Sequence, residues 1–169
     1  MMQQVPGRTL CASVLLSGLV LASTALAAGT ATEGKTDPWV ERGRYVVAIA
    51  GCNDCHTPGY AENGGKADGK VLLTGDALGW RGPWGTTYPV NLRIFMEKMT
   101  EKEWVEHARK LQARPPMPFW ALNRMRSGDL RAVYRYVRSL GPGGRPAPDF
   151  VPPGAEPKPP YVQFPAPPK

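Results

Sequence analysis

Cys52-Asn53-Asp54-Cys55-His56 sets two thiols three positions apart and an imidazole directly after the second. This C-x-x-C-H spacing is the attachment signature of a c-type haem. Thiols so spaced reach the two vinyl groups on one porphyrin edge, and the adjacent His is then held under the iron as proximal ligand. Covalent attachment also keeps that ligand at high effective concentration. Other uses of the pair lack support in the rest of the chain. A thioredoxin-type dithiol lies beside a βαβ pattern, which is not visible here. A structural zinc site needs four ligands, and beyond the motif only His107 is on offer downstream. A disulfide across two residues would be strained and would make no use of the His. The expected cofactor is one covalent haem c, linked through Cys52 and Cys55.

The second axial ligand must come from Met96, Met99, Met117, Met125 or His107. Met117 stands in Arg114-Pro115-Pro116-Met117-Pro118, a stiff loop that can present a thioether to iron at little entropic cost. A Met inside an amphipathic helix more often fills a core gap. Met125 precedes the last helix and is the alternative, as ligand or as packing residue. His107 lies at the border of a helix's apolar side and reads as a helix-surface residue. Met117 is the first choice.

These groups need elements to hold them. Asp37-Pro38 looks like an N-cap and first-turn proline, and a helix fits from Pro38 to about Gly51. Pro58-Gly59 closes the segment after the motif. From Ala61 to Asn91 the chain reads as long Gly-rich loops, with Val71-Leu72-Leu73 as a short strand. Thr100-Glu101-Lys102-Glu103 has capping-box spacing and starts a second helix, stopped by Arg114-Pro115-Pro116. Ser127-Gly128-Asp129 opens a third. In it Leu130, Val133, Tyr134, Val137 and Leu140 form the apolar side, and Arg131, Arg135 and Arg138 the wet one. Eleven of the last 29 residues are Pro. That tail, 141–169, is expected to be extended and polyproline-like, either pinned by Phe150, Tyr161 and Phe164 or a disordered spacer.

The order helix, C-x-x-C-H, Gly-rich loops, helix, Pro-Met loop, amphipathic helix resembles the monohaem cytochrome c family. The likeness covers about Asp37 to Leu140. It is strongest to bacterial periplasmic cytochromes c, in GCNDCHTPG (Gly51–Gly59), GPWGTTYPVNL (Gly82–Leu92), RPPMPFW (Arg114–Trp120) and YRYVRSLGP (Tyr134–Pro142). The resemblance implies an all-α cytochrome c fold, with three main helices and long Gly-rich loops around the haem. It implies thioether links at Cys52 and Cys55, with His56 proximal and Met117 distal. It implies a first helix packed across the last, with Gly43 and Tyr45 near Val133, Tyr134 or Val137. The loop Gly82–Leu92 is expected to close over the haem propionates, with Trp84, Thr86, Thr87, Tyr88, Asn91 and Arg93 as donors. One departure stands out. Many cytochromes c have a proline about a dozen residues after the haem His, whose carbonyl orients the imidazole. None lies around Asp68, so the acceptor for His56 is unassigned.

The 169 residues suffice for one ordinary domain. With 19 Gly and 19 Pro the chain is no long coiled coil, and three Cys rule out a disulfide-rich scaffold. The formal charge is +7 and is not gathered into lysine runs, so nucleic acid is not an expected partner. Arg8, the apolar run Ala12–Ala22 and Ala25-Leu26-Ala27 read as a secretory signal, residues 1–27, cut after Ala27. A leader at 28–36 then precedes the domain at 37–140. The expected location is the periplasm, with no stable membrane span once the signal is cleaved. The expected function is one-electron transfer, from a dehydrogenase to a respiratory acceptor, without catalysis by the chain itself. The alternatives are a fixed cytochrome subunit of a dehydrogenase or oxidase complex, or a haem enzyme or ligand sensor with an open distal site. From Arg109 to Arg145 there are nine basic residues and one acid, Asp129, which suits docking with an acidic redox partner.

Overall fold

The computed structural model describes residues 37–165. The expected signal at 1–27 and leader at 28–36 lie outside the described residues. Helix α1 spans Pro38–Ile49. Its start is set by Asp37, whose carboxylate accepts from the Trp39 N–H at 2.9 Å, and by the preset φ of Pro38. Gly51, left-handed at φ +67°, turns the chain straight into α2 (Cys52–His56). Helix α3 (Leu92–Glu97) follows, then α4 (Glu101–Lys110), α5 (Phe119–Arg124) and α6 (Ser127–Ser139). The capping box closes on α4: Glu103 N–H donates to Thr100 Oγ1 at 3.3 Å, and Thr100 N–H to Glu103 Oε2 at 2.7 Å.

Helix α1 crosses α6, as the resemblance implied, and the close approach is made at Gly43. A Cβ there would overlap the Ala132 carbonyl and the Tyr136 Cβ. Tyr45 does not join this contact. It is half exposed on the outer side of α1, with the Arg42 guanidinium 5.4 Å from its ring centroid. Val46 and Val47 of α1 meet Leu130, Val133 and Val137 of α6 in a core completed by Leu73, Met96, Trp104 and Ala108. Trp104 Nε1 donates to Leu130 O at 2.8 Å, which ties α4 to α6. Because the crossing leaves no room for a methyl group, Gly43→Ala is expected to cost about 1–3 kcal/mol of stability. Urea unfolding reads this directly, and an unchanged midpoint would show that the crossing can open without loss.

The described residues are not all-α. Strands β1 (Gly79–Gly82), β2 (Gly85–Thr87) and β3 (Tyr161–Gln163) form a sheet of order β2-β1-β3. β1 and β2 are antiparallel, while β1 and β3 are parallel, with Trp80 opposite Thr87 on one side and Val162 on the other. The strand expected at Val71-Leu72-Leu73 is a series of turns instead, in which Leu73 takes φ +58° and is fully buried. Part of the Pro-rich tail is sheet rather than polyproline chain. Prolines are tolerated because β3 is an edge strand: Gly79 N–H donates to Pro160 O at 3.0 Å, which asks nothing of the missing proline N–H. Phe164 caps the sheet, 6.0 Å from Trp80 and 5.2 Å from Trp84 between ring centroids. Among the described residues no helix is long and apolar enough to cross a membrane.

Candidate functional site

Helix α2 carries Cys52, Cys55 and His56 in little more than one turn, aimed by the Gly51 turn from α1. Both thiols are free and partly buried. Burial pushes the Cys52 thiol up to about 11. Cys55 is also raised, by burial first and then by the charges of Asp54 and Asp76. A redox-active dithiol needs the opposite, a thiol lowered toward neutrality. Among the described residues no group of three His, Cys, Asp or Glu stands ready to hold a metal ion.

His56 is 8% exposed, and its Nδ1 lies 2.8 Å from Val90 O. A carbonyl only accepts, so Nδ1 carries the proton and Nε2 keeps its lone pair. Burial lowers the His56 pKa and so favours the neutral ring. A neutral imidazole with a fixed tautomer and an available Nε2 is the form that binds iron. Val90 thus fills the position that sequence left unassigned, from 34 residues downstream. Further bonds brace the same turn. Gly75 N–H donates to His56 O at 2.8 Å. Thr57 Oγ1 accepts from Leu73 N–H at 2.8 Å and donates to Asn53 Oδ1 at 2.8 Å. Thr57 stands next to the motif, but nothing local marks it as a brace for the 71–75 turn.

The candidate distal residues fall in different surroundings. Met96 is wholly buried core. His107 lies on α4 with its ring 5.2 Å from Phe95 and 6.3 Å from the core residue Trp104. Met99, Met117 and Met125 are partly buried and pack against the same core cluster as Cys52. Met117 belongs to a turn closed by its N–H on Arg114 O at 3.3 Å, and Met125 terminates α5.

The residues expected at the propionates divide. Asn91 is committed to the protein: Oδ1 caps α3 by accepting from Ile94 N–H at 3.1 Å, and Nδ2 donates to Gly143 O at 2.8 Å and Arg145 O at 3.2 Å. Trp84 Nε1 donates to Trp80 O at 3.3 Å, and Thr87 Oγ1 to Pro115 O at 2.8 Å. Thr86 is buried under the hairpin, and the ring of Tyr88 covers Gly79. Arg93 is buried, bonded through its guanidinium to Gly69 O, and its Nε has no partner. Trp80, which sequence did not single out, has a buried Nε1–H that is also without a partner. With Asp54, Cys55, Thr57, Glu62 and Asp76 it lines a cavity of about 130 Å³, whose three carboxylates disfavour a further anion there. Two free thiols on one turn with an imidazole nitrogen that has no other partner suit a covalently held haem.

The basic stripe is less free than its spacing predicts. Arg135 and Arg131 both turn to Glu101, at 2.7 Å and 3.7 Å, and Arg135 lies 4.7 Å from the Trp39 ring centroid. They tie α6 to α4 and α1. Arg124, Arg126 and Arg138 are exposed and have no ion pair among the described residues.

Over 155 residues the chain is 27% identical to the fructose dehydrogenase cytochrome subunit of Gluconobacter japonicus, an alignment that takes in 83% of this chain and 30% of that protein. The chain therefore spans less than a third of that relative's length. No protein-family model matches it, and no solved structure does.

Proposed function

We propose that this chain is a c-type cytochrome of cytochrome c fold that carries single electrons for a dehydrogenase, as a subunit rather than as a free shuttle. The observation that carries the reading is His56, set on a C-x-x-C-H helix with free thiols and locked by Val90 O into the iron-binding tautomer. Cys52 and Cys55 would hold one haem covalently, and His56 and Met117 would bind its iron. When bound, the haem supplies a one-electron couple between ferrous and ferric iron. A thioether ligand from Met117 would favour the reduced state. The likeness to a dehydrogenase's cytochrome subunit supports the subunit reading over the shuttle. The apolar run at Ala12–Ala22 supports export to the periplasm, where the mature chain would begin at Ala28.

The test is purification from the native periplasm with an optical spectrum. The chain should co-elute with a dehydrogenase, and its haem should be reduced by that enzyme's substrate with no added mediator. A haem protein that elutes alone would restore the free shuttle, and immediate carbon monoxide binding by the reduced protein would favour the open-site reading.

Docking gives a further expected result. Trp120 is 52% exposed on α5, one turn from Arg124 and just beyond the Met117 loop. Arg124→Glu with Arg126→Glu should slow reduction by an acidic partner. In the unchanged protein the rate should fall as salt rises, because such charges are screened over about 8 Å at physiological ionic strength. Stopped-flow reduction at several salt concentrations decides it. Rates indifferent to both changes would place the interface elsewhere.

A further inference from the structure

Met117 has one local backbone bond on each side: its N–H to Arg114 O at 3.3 Å, and its carbonyl to Phe119 N–H at 2.8 Å. These shape the turn, but they do not set where it stands relative to α2. Two contacts from outside do. Thr87 Oγ1 at the end of β2 donates to Pro115 O at 2.8 Å. The Arg114 guanidinium lies over the Phe150 ring, 3.9 Å from its centroid.

Phe150 is itself anchored on the hairpin. Its ring edge covers Gly85, where a Cβ would come within 2.9 Å of it. Its neighbour Val151 exchanges both backbone bonds with Thr86, at 2.8 Å and 3.0 Å. On the next strand Trp80 lines the cavity beside Cys55. One β unit therefore touches both the Cys55 side of the site and the Met loop.

We propose that Phe150 and Thr87 are positioning residues for Met117: the C-terminal tail, through the Arg114–Phe150 stack, holds the Pro-Met loop in place and favours iron-bound over released Met117. This rests on the His56/Met117 ligation proposed above. A cation–π contact at a partly exposed site changes such an equilibrium by about two- to five-fold.

The experiment is imidazole titration of the ferric holoprotein, since imidazole competes with the thioether for iron. Phe150→Ala and Arg114→Leu should bind imidazole about two- to five-fold more tightly than the unchanged protein. Phe150→Tyr, which keeps the ring, should restore the original affinity, and Thr87→Val should shift in the same direction as Phe150→Ala. Hydrogen exchange supplies a readout independent of electron transfer: the Met117 and Phe119 amides should exchange faster in Phe150→Ala. Glu156→Gln is the control. It removes the Arg81–Glu156 pair, a tail contact away from the Met loop, and should leave imidazole affinity unchanged. Unchanged affinity and exchange in Phe150→Ala would overturn the proposal. So would an equal rise in Glu156→Gln, which would make the effect one of general tail loosening. If Met117→Ala binds imidazole as the unchanged protein does, the ligation reading falls and the positioning role with it. That outcome is seen in the Met117 variant, and so is told apart from a failure of the clamp.

Discussion

Acid-acetone extraction of the mature protein is expected to leave haem on the polypeptide, with a mass equal to the chain plus one haem. Replacing Cys52 and Cys55 together with Ser should release all of it into the organic phase. Each single Cys→Ser variant should keep one thioether link and hold its haem less firmly. The geometry behind this is α2, which carries both thiols and His56 on little more than one turn, with His56 Nδ1 held by Val90 O. The double variant should therefore separate attachment from ligation, binding added haem reversibly through His56. The fold should also lose stability, because the haem's apolar faces contribute burial at about 25 cal/mol per Å². Free extraction of haem from the unchanged protein, or a Cys52–Cys55 disulfide in place of haem, would end the cytochrome reading.

Met117→Ala should abolish the weak near-infrared sulfur-to-iron band of the oxidised protein and lower its reduction potential. A thioether from Met117 would favour ferrous iron, and its loss would remove that preference. The fall should be on the order of 0.1–0.3 V, a fraction of the roughly 0.8 V over which axial ligands move haem potentials. Met125→Ala should keep the band, since Met125 ends α5 and lies outside the Pro-Met loop. A band that survives in Met117→Ala and vanishes in Met125→Ala would transfer the role. Potentiometric titration of both variants reads the two outcomes separately.

Sequence alone was sufficient where the deciding groups lie within a few residues of one another. Asp37 and the Thr100–Glu103 box cap the helices they were expected to cap, because capping bonds span two or three positions. The 3.6-residue period of Leu130, Val133 and Val137 placed the buried side of α6 for the same reason. The chemical promise of C-x-x-C-H is likewise a matter of spacing. Tertiary structure decided what depends on where a distant backbone passes. The His56 acceptor is the carbonyl of Val90, and a carbonyl leaves no mark in the side chain that bears it. Asn91 ties α3 to the tail because the Gly143 and Arg145 carbonyls arrive beside it. Arg131 and Arg135 left the free basic stripe because the α4–α6 packing brings Glu101 within reach. The sheet was hidden for a related reason. Strand β3 pairs in parallel with β1 across some eighty residues, and proline-rich composition points to polyproline because it counts missing N–H groups. An edge strand beside Gly79 needs a carbonyl at Pro160, and every proline keeps its carbonyl.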